Sequence, residues 1–196
     1  MHPAVKPLVF AACLLPLGWL VYATATGGVG PDPAEVIMHV SGEWGLRILA
    51  LTLALPLLRQ LLDSAWPMRL RRMLGLFAFF YACLHLASFA HFYVGWSSAL
   101  LVEEVIKRPY ITAGFLAWLL LLPLAFTSTR GMQRRLGKRW RQLHRLVYPA
   151  AVLACVHLVW QVRSDIAEAL VYALIFALLL GWRLLPRRAR QPLSFS

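Results

Sequence analysis

The chain has 196 residues, 60% of them hydrophobic and only 14% charged, with a mean hydropathy of +0.66. That is more apolar surface than one soluble core of this size can hide, so the chain reads as an integral membrane protein. The net charge of +12 does not point to nucleic acid, because Lys and Arg fall in short segments between apolar runs, as membrane topology requires.

Six apolar segments follow one another, at about 8–26, 44–62, 73–95, 110–129, 143–161 and 166–185. Each is close to the roughly 20 residues a helix needs to cross hydrocarbon. The expected fold is therefore all-α, a six-transmembrane-helix bundle forming a single domain over 1–196. The first segment ends in Ala23-Thr24-Ala25, which imitates a signal-peptide cleavage site. Its long apolar run, followed by more membrane, argues for a retained helix.

Orientation follows from the basic residues of the short loops. A cytoplasmic N-terminus puts 16 of the 20 Lys and Arg inside, leaving only Arg47, Lys107, Arg108 and Arg163 outside, so both termini are expected to be cytoplasmic. The outer loops, at 27–43, 96–109 and 162–165, are too short for a catalytic domain. No repeat, low-complexity tract, Gly-x-Gly-x-x-Gly or Walker-type loop is recognisable, so any chemistry belongs to the bundle or to a partner. Cys13, Cys83 and Cys155 lie in apolar runs without a Cys-x-x-Cys, which argues against zinc ribbons, dithiol redox sites and covalent haem; they read as packing residues.

The histidines carry the chemical signal. His85 stands twelve residues into the third segment and His157 fourteen residues into the fifth, about 18 and 21 Å from the same side of the membrane. Two imidazoles at matched depth on two helices can ligate one haem iron axially, and ionisable groups inside hydrocarbon are costly enough to require a reason. The bland alternative is two packing histidines, each bonded to a carbonyl. His144 sits near the inner end of the fifth segment, as a second haem ligand or an interfacial side chain. At the matching depth of the third segment stands Arg71, a poor iron ligand but a good partner for a propionate or phosphate. In a straight helix His144 and His157 point well over 90° apart; Pro149 between them is expected to kink the helix. His91 cannot share the face of His85, and His39, in the first outer loop, and His2 read as solvated. Trp19, Trp44, Trp96, Trp140, Trp160 and Trp182 mark interfacial belts, and the dense basic loop 130–141 leaves room for an anionic group.

The runs Ala125-Phe126-Thr127-Ser128-Thr129, Met132-Gln133-Arg134 and Leu136 to His144, with Tyr148 and His157, resemble the MsrQ (YedZ) family of haem-binding membrane subunits of the periplasmic methionine-sulfoxide reductase system. Arg71 to Leu76 leading to His85, and Arg108-Pro109-Tyr110-Ile111-Thr112, are similar to the same family, so the resemblance covers nearly the whole chain. It implies a ferric-reductase-like bundle in the bacterial inner membrane that takes electrons from the quinone pool. It passes them to MsrP, a periplasmic molybdopterin enzyme that repairs oxidised proteins and performs the substrate reduction itself. It also implies haem b, one or two per chain, and FMN, with His85, His144 and His157 as the haem-associated histidines. Broader relatives carry two histidines on each of two helices; here Arg71 stands where the inner one of the third segment is expected. No residue of the chain is read as catalytic. Two other readings remain at this point: a small proton-coupled transporter or channel using buried histidines, which predicts acidic partners inside the segments, and a haem-delivery factor without quinol turnover.

Overall fold

A computed structural model describes residues 4–161 and 166–184. The expected link at 162–165 with Arg163, the terminal His2 and the arginines beyond 184 lie outside the described residues. The rest is helical: α1 (Val5–Ala25), α2 (Pro33–Leu61), α3 (Arg71–Phe92), α4 (Ser98–Lys107), α5 (Pro109–Phe126), α6 (Arg130–Leu136), α7 (Lys138–Leu143), α8 (Val147–Gln161) and α9 (Ile166–Leu184). Short 3-10 turns at Pro67–Leu70 and His144–Leu146 lead into α3 and α8. Six helical stretches are long and apolar enough to span a bilayer, in the six places expected, so this is a multi-pass membrane protein.

Three local features depart from expectation, each for an identifiable reason. The second span begins at Pro33 instead of 44, because Asp32 caps the helix by accepting the Glu35 N–H at 3.0 Å and Pro33 fits the first turn. His39 therefore stands on a helix and not in an outer loop. The outer segment 96–109 contains α4, whose N-terminus is capped by Ser97. Finally, the fifth span breaks at His144–Leu146. Pro149 has no N–H for the carbonyl of Arg145 and its ring crowds that turn, so the expected kink becomes a short 3-10 turn.

Packing is dominated by two antiparallel pairs, α2 with α3 and α5 with α8; α9 rests on α8 and α2, and of the six spans α1 is held most lightly. Alanines at helix contacts, Ala78, Ala117, Ala150 and Ala151, are buried and let the backbones approach. Large apolar side chains such as Leu15, Trp19, Leu174 and Leu178 face outward, as lipid contact requires. The basic residues 59–72 and 130–145 gather at one end of the bundle, here called the basic end. Glu35, Glu43, Glu103 and Glu104 mark the other.

One contact fixes α1. Pro16 opens the α1 ladder, and the buried Tyr81 hydroxyl enters the gap, donating to Cys13 O at 2.7 Å and accepting Leu17 N–H at 3.2 Å. Tyr81→Phe leaves both backbone groups without that partner in an apolar setting, an expected loss of about 1–3 kcal/mol. Thermal unfolding in detergent checks it; an unchanged midpoint contradicts the assignment.

Candidate functional site

His85 on α3 and His157 on α8 come together with ring centres 6.0 Å apart and planes at 75°. Each is fixed from behind by the backbone of another helix. His85 Nδ1 lies 2.9 Å from the Met38 carbonyl of α2, and His157 Nδ1 lies 2.7 Å from the Tyr110 carbonyl of α5. A carbonyl only accepts, so Nδ1 carries the proton in both rings and donates it, and Nε2 keeps a free lone pair. This is the second-shell arrangement that prepares a histidine for a metal.

A helical carbonyl is ordinarily screened by the side chain four residues on. At these two places that residue is glycine. A Cβ on Gly42 would stand 2.8 Å from His85 Nδ1, and a Cβ on Gly114 2.8 Å from His157 Nδ1, closer than such contacts occur. The absence of a side chain is what lets each imidazole lie over the turn and reach the carbonyl beneath.

The two halves repeat each other. Positions 38 and 110, 42 and 114, 83 and 155, and 85 and 157 pair at one constant offset, and carbonyl and histidine are 47 residues apart in both halves. In each half the first helix runs toward the basic end and the second away from it, so the halves are parallel repeats about an axis along the bundle. Reading the sequence found no repeat because most intervening residues differ; the signal was the shared Gly and Cys-x-His at that offset. The glycines and the carbonyl acceptors were missed for the same reason.

Among the described residues no cluster of three or more His, Cys, Asp or Glu exists. The histidine pair therefore suits a metal whose other positions are filled by its own macrocycle. With metal–imidazole bonds of about 2 Å, two rings on one metal have centres roughly 6 Å apart, as these do.

A different arrangement is built at the basic end. The Trp140 indole donates to Thr127 O at 2.9 Å, tying α7 to the end of α5, and Thr129 caps α6 through Met132 N–H. His144 stacks on Trp140 at 3.9 Å and donates Nδ1–H to Trp140 O at 3.1 Å. Its Nε2 is buried and makes no hydrogen bond of good geometry, with a Leu124 backbone group within reach. No histidine faces it. Arg71, half-buried, is within Coulombic reach of His144, as the depth count places it. His91 is exposed and accepts from the Trp96 indole at 3.0 Å, away from the pair. His39 lies 3.3 Å from Gln161 and 3.7 Å from Glu35 at the opposite rim.

Comparison with known proteins gives the family. Residues 36–155, α2 through most of α8, match the model of the ferric reductase like transmembrane component family. A Xanthomonas axonopodis pv. citri protein named as the heme-binding subunit MsrQ of protein-methionine-sulfoxide reductase is 50% identical over 92% of this chain and 85% of its own. Proteins of the same name from Xanthomonas campestris pv. campestris (50% identical, 94% and 87% covered) and Polaromonas naphthalenivorans (45%, 93% and 85%) are similar throughout. The chain belongs to the ferric reductase like transmembrane family and, within it, to the MsrQ proteins.

Proposed function

We propose that this protein is a haem b electron-transfer subunit of the bacterial inner membrane. It takes electrons from the quinone pool and delivers them to the periplasmic methionine-sulfoxide reductase MsrP. The observation that carries the reading is the His85–His157 pair, with both Nδ1 protons given to carbonyls and both Nε2 atoms free. Haem bound there supplies a reversible one-electron carrier. The protein's own part is to hold two neutral imidazoles in fixed tautomers inside a bundle that excludes water. The whole chain acts as one domain, since α1 and α9 pack on the matched helices.

At the basic end His144 would hold a second haem once its Nε2 turns from the Leu124 backbone, and Arg71 would face a propionate. The exposed Arg134, Arg135, Lys138, Arg139 and Arg141 suit the phosphate of FMN. By the positive-inside rule this end and both termini are cytoplasmic, and the rim carrying α4 meets the partner. Quinol oxidation is the chain's share of the reaction, sulfoxide reduction the partner's. Proton relay in a transporter is disfavoured because each ring of the pair spends its proton on a carbonyl and, among the described residues, meets no acid.

The test is turnover in proteoliposomes. Added quinol reduces a b-type spectrum, and MsrP with methionine sulfoxide reoxidises it. A haem that quinol never reduces, in protein that dithionite does reduce, contradicts the proposed donor.

A further inference from the structure

A cavity of about 1000 Å³ opens at the basic end between the last turns of α2, the start of α8 and the end of α9, with Arg59, Asp63, Tyr148, Trp182 and Arg183 among its walls. An almost wholly apolar groove of about 450 Å³ runs on from it between α8 and α9, past Val156, Trp160 and Phe176. The two share Val152 and Leu180 as walls, so they adjoin at those side chains. A polar chamber at the membrane surface joined to one apolar channel within the span is the shape of an amphiphile with a compact head and a single tail.

The head end offers donors. Arg183 gives Nη1–H to the Tyr148 hydroxyl at 2.5 Å and Nη2–H to Leu53 O at 2.7 Å, one turn before Pro56 loosens the α2 ladder. Its Nε is buried with no partner. The Tyr148 oxygen is already accepting, which leaves its proton for a ligand oxygen. Two donors therefore await an acceptor within a wall of Tyr148, Trp182 and Pro149, surfaces suited to a flat ring. Asp63 in the same wall offsets one of its two arginine charges, those of Arg59 and Arg183. Tyr148 also stands four residues after His144, so a bound ring lies next to the inner histidine.

We propose that this cavity and groove form the binding site of a prenylated quinone, with the ring oxygen on Arg183 Nε and the Tyr148 hydroxyl and the tail between α8 and α9. The inference rests on the functional reading above, which requires a quinone, and adds where it binds.

Photolabelling of the full chain in phosphatidylethanolamine–phosphatidylglycerol nanodiscs with a ring-azido ubiquinone tests it. Label is expected in the peptides around Tyr148–Val152 and Leu180–Leu184, competed by decylubiquinone. Val152→Trp, which plugs the junction from α8, and Leu180→Trp, which plugs it from α9, each lower labelling at least about tenfold, with the dithionite-reduced haem spectrum unchanged. Label on other helices, full labelling of both plugged variants, or phosphatidylglycerol crowding the groove with no quinone label overturns the site. A colourless protein that still labels at these peptides sustains the site while refuting the haem reading. A coloured protein reduced by quinol but not labelled here does the reverse.

Discussion

His157→Ala abolishes the low-spin haem of the purified protein, and His85→Ala does the same. The two rings have centres 6.0 Å apart on separate helices, and among the described residues no third His, Cys, Asp or Glu joins them in a cluster. With either ring removed, a haem held between them would keep a single protein ligand, so the low-spin spectrum is expected to be lost, with or without the cofactor. The fold is expected to persist: each variant gives up one inter-helix hydrogen bond, while the α2–α3 and α5–α8 packing keeps buried residues such as Leu53, Leu74, Ala150 and Ala151. Haem per protein is measured by pyridine haemochrome beside the thermal midpoint. A variant that keeps both full haem and a low-spin spectrum contradicts the pairing.

The second large effect is expected at residues that touch no cofactor. Gly42→Ala and Gly114→Ala each place a methyl 2.8 Å from an Nδ1 whose ring is pinned against the carbonyl one turn earlier. Something must shift, and the ring is what can. Loss of such second-shell fixation ordinarily costs about 10- to 100-fold in metal affinity. Because the halves repeat, the two variants should behave alike, and the double variant should resemble a histidine deletion. Gly18→Ala is the control, since a Cβ there meets nothing within 4 Å. Haem retention during dilution into apo-myoglobin reads the effect. Wild-type retention in both variants removes the glycines from the account.

The sequence made the six spans legible because hydrocarbon imposes length and apolarity on every crossing. Counting depth from a common side was enough to bring His85 opposite His157 and Arg71 near His144, since helical rise is nearly constant. What stayed hidden depends on one or two local contacts. A cap at Asp32 extends α2 and moves His39 out of the expected loop. Ser97 starts α4 in what reads as a connection. The turn at His144–Leu146 is set by Pro149 acting on its preceding turn, and hydropathy is blind to it. The glycine cradles carry no hydropathy signal at all; only aligning the chain with itself at the offset of its two Cys-x-His runs exposes them.

The central claim is that one haem iron is shared by His85 and His157. Low-temperature electron paramagnetic resonance of the oxidised, detergent-purified protein tests it most directly. With imidazole planes at 75°, a ferric haem held by both rings would give a strongly anisotropic low-spin signal, which the account predicts and which His157→Ala would remove. A haem-loaded wild type showing only a high-spin ferric signal would contradict it.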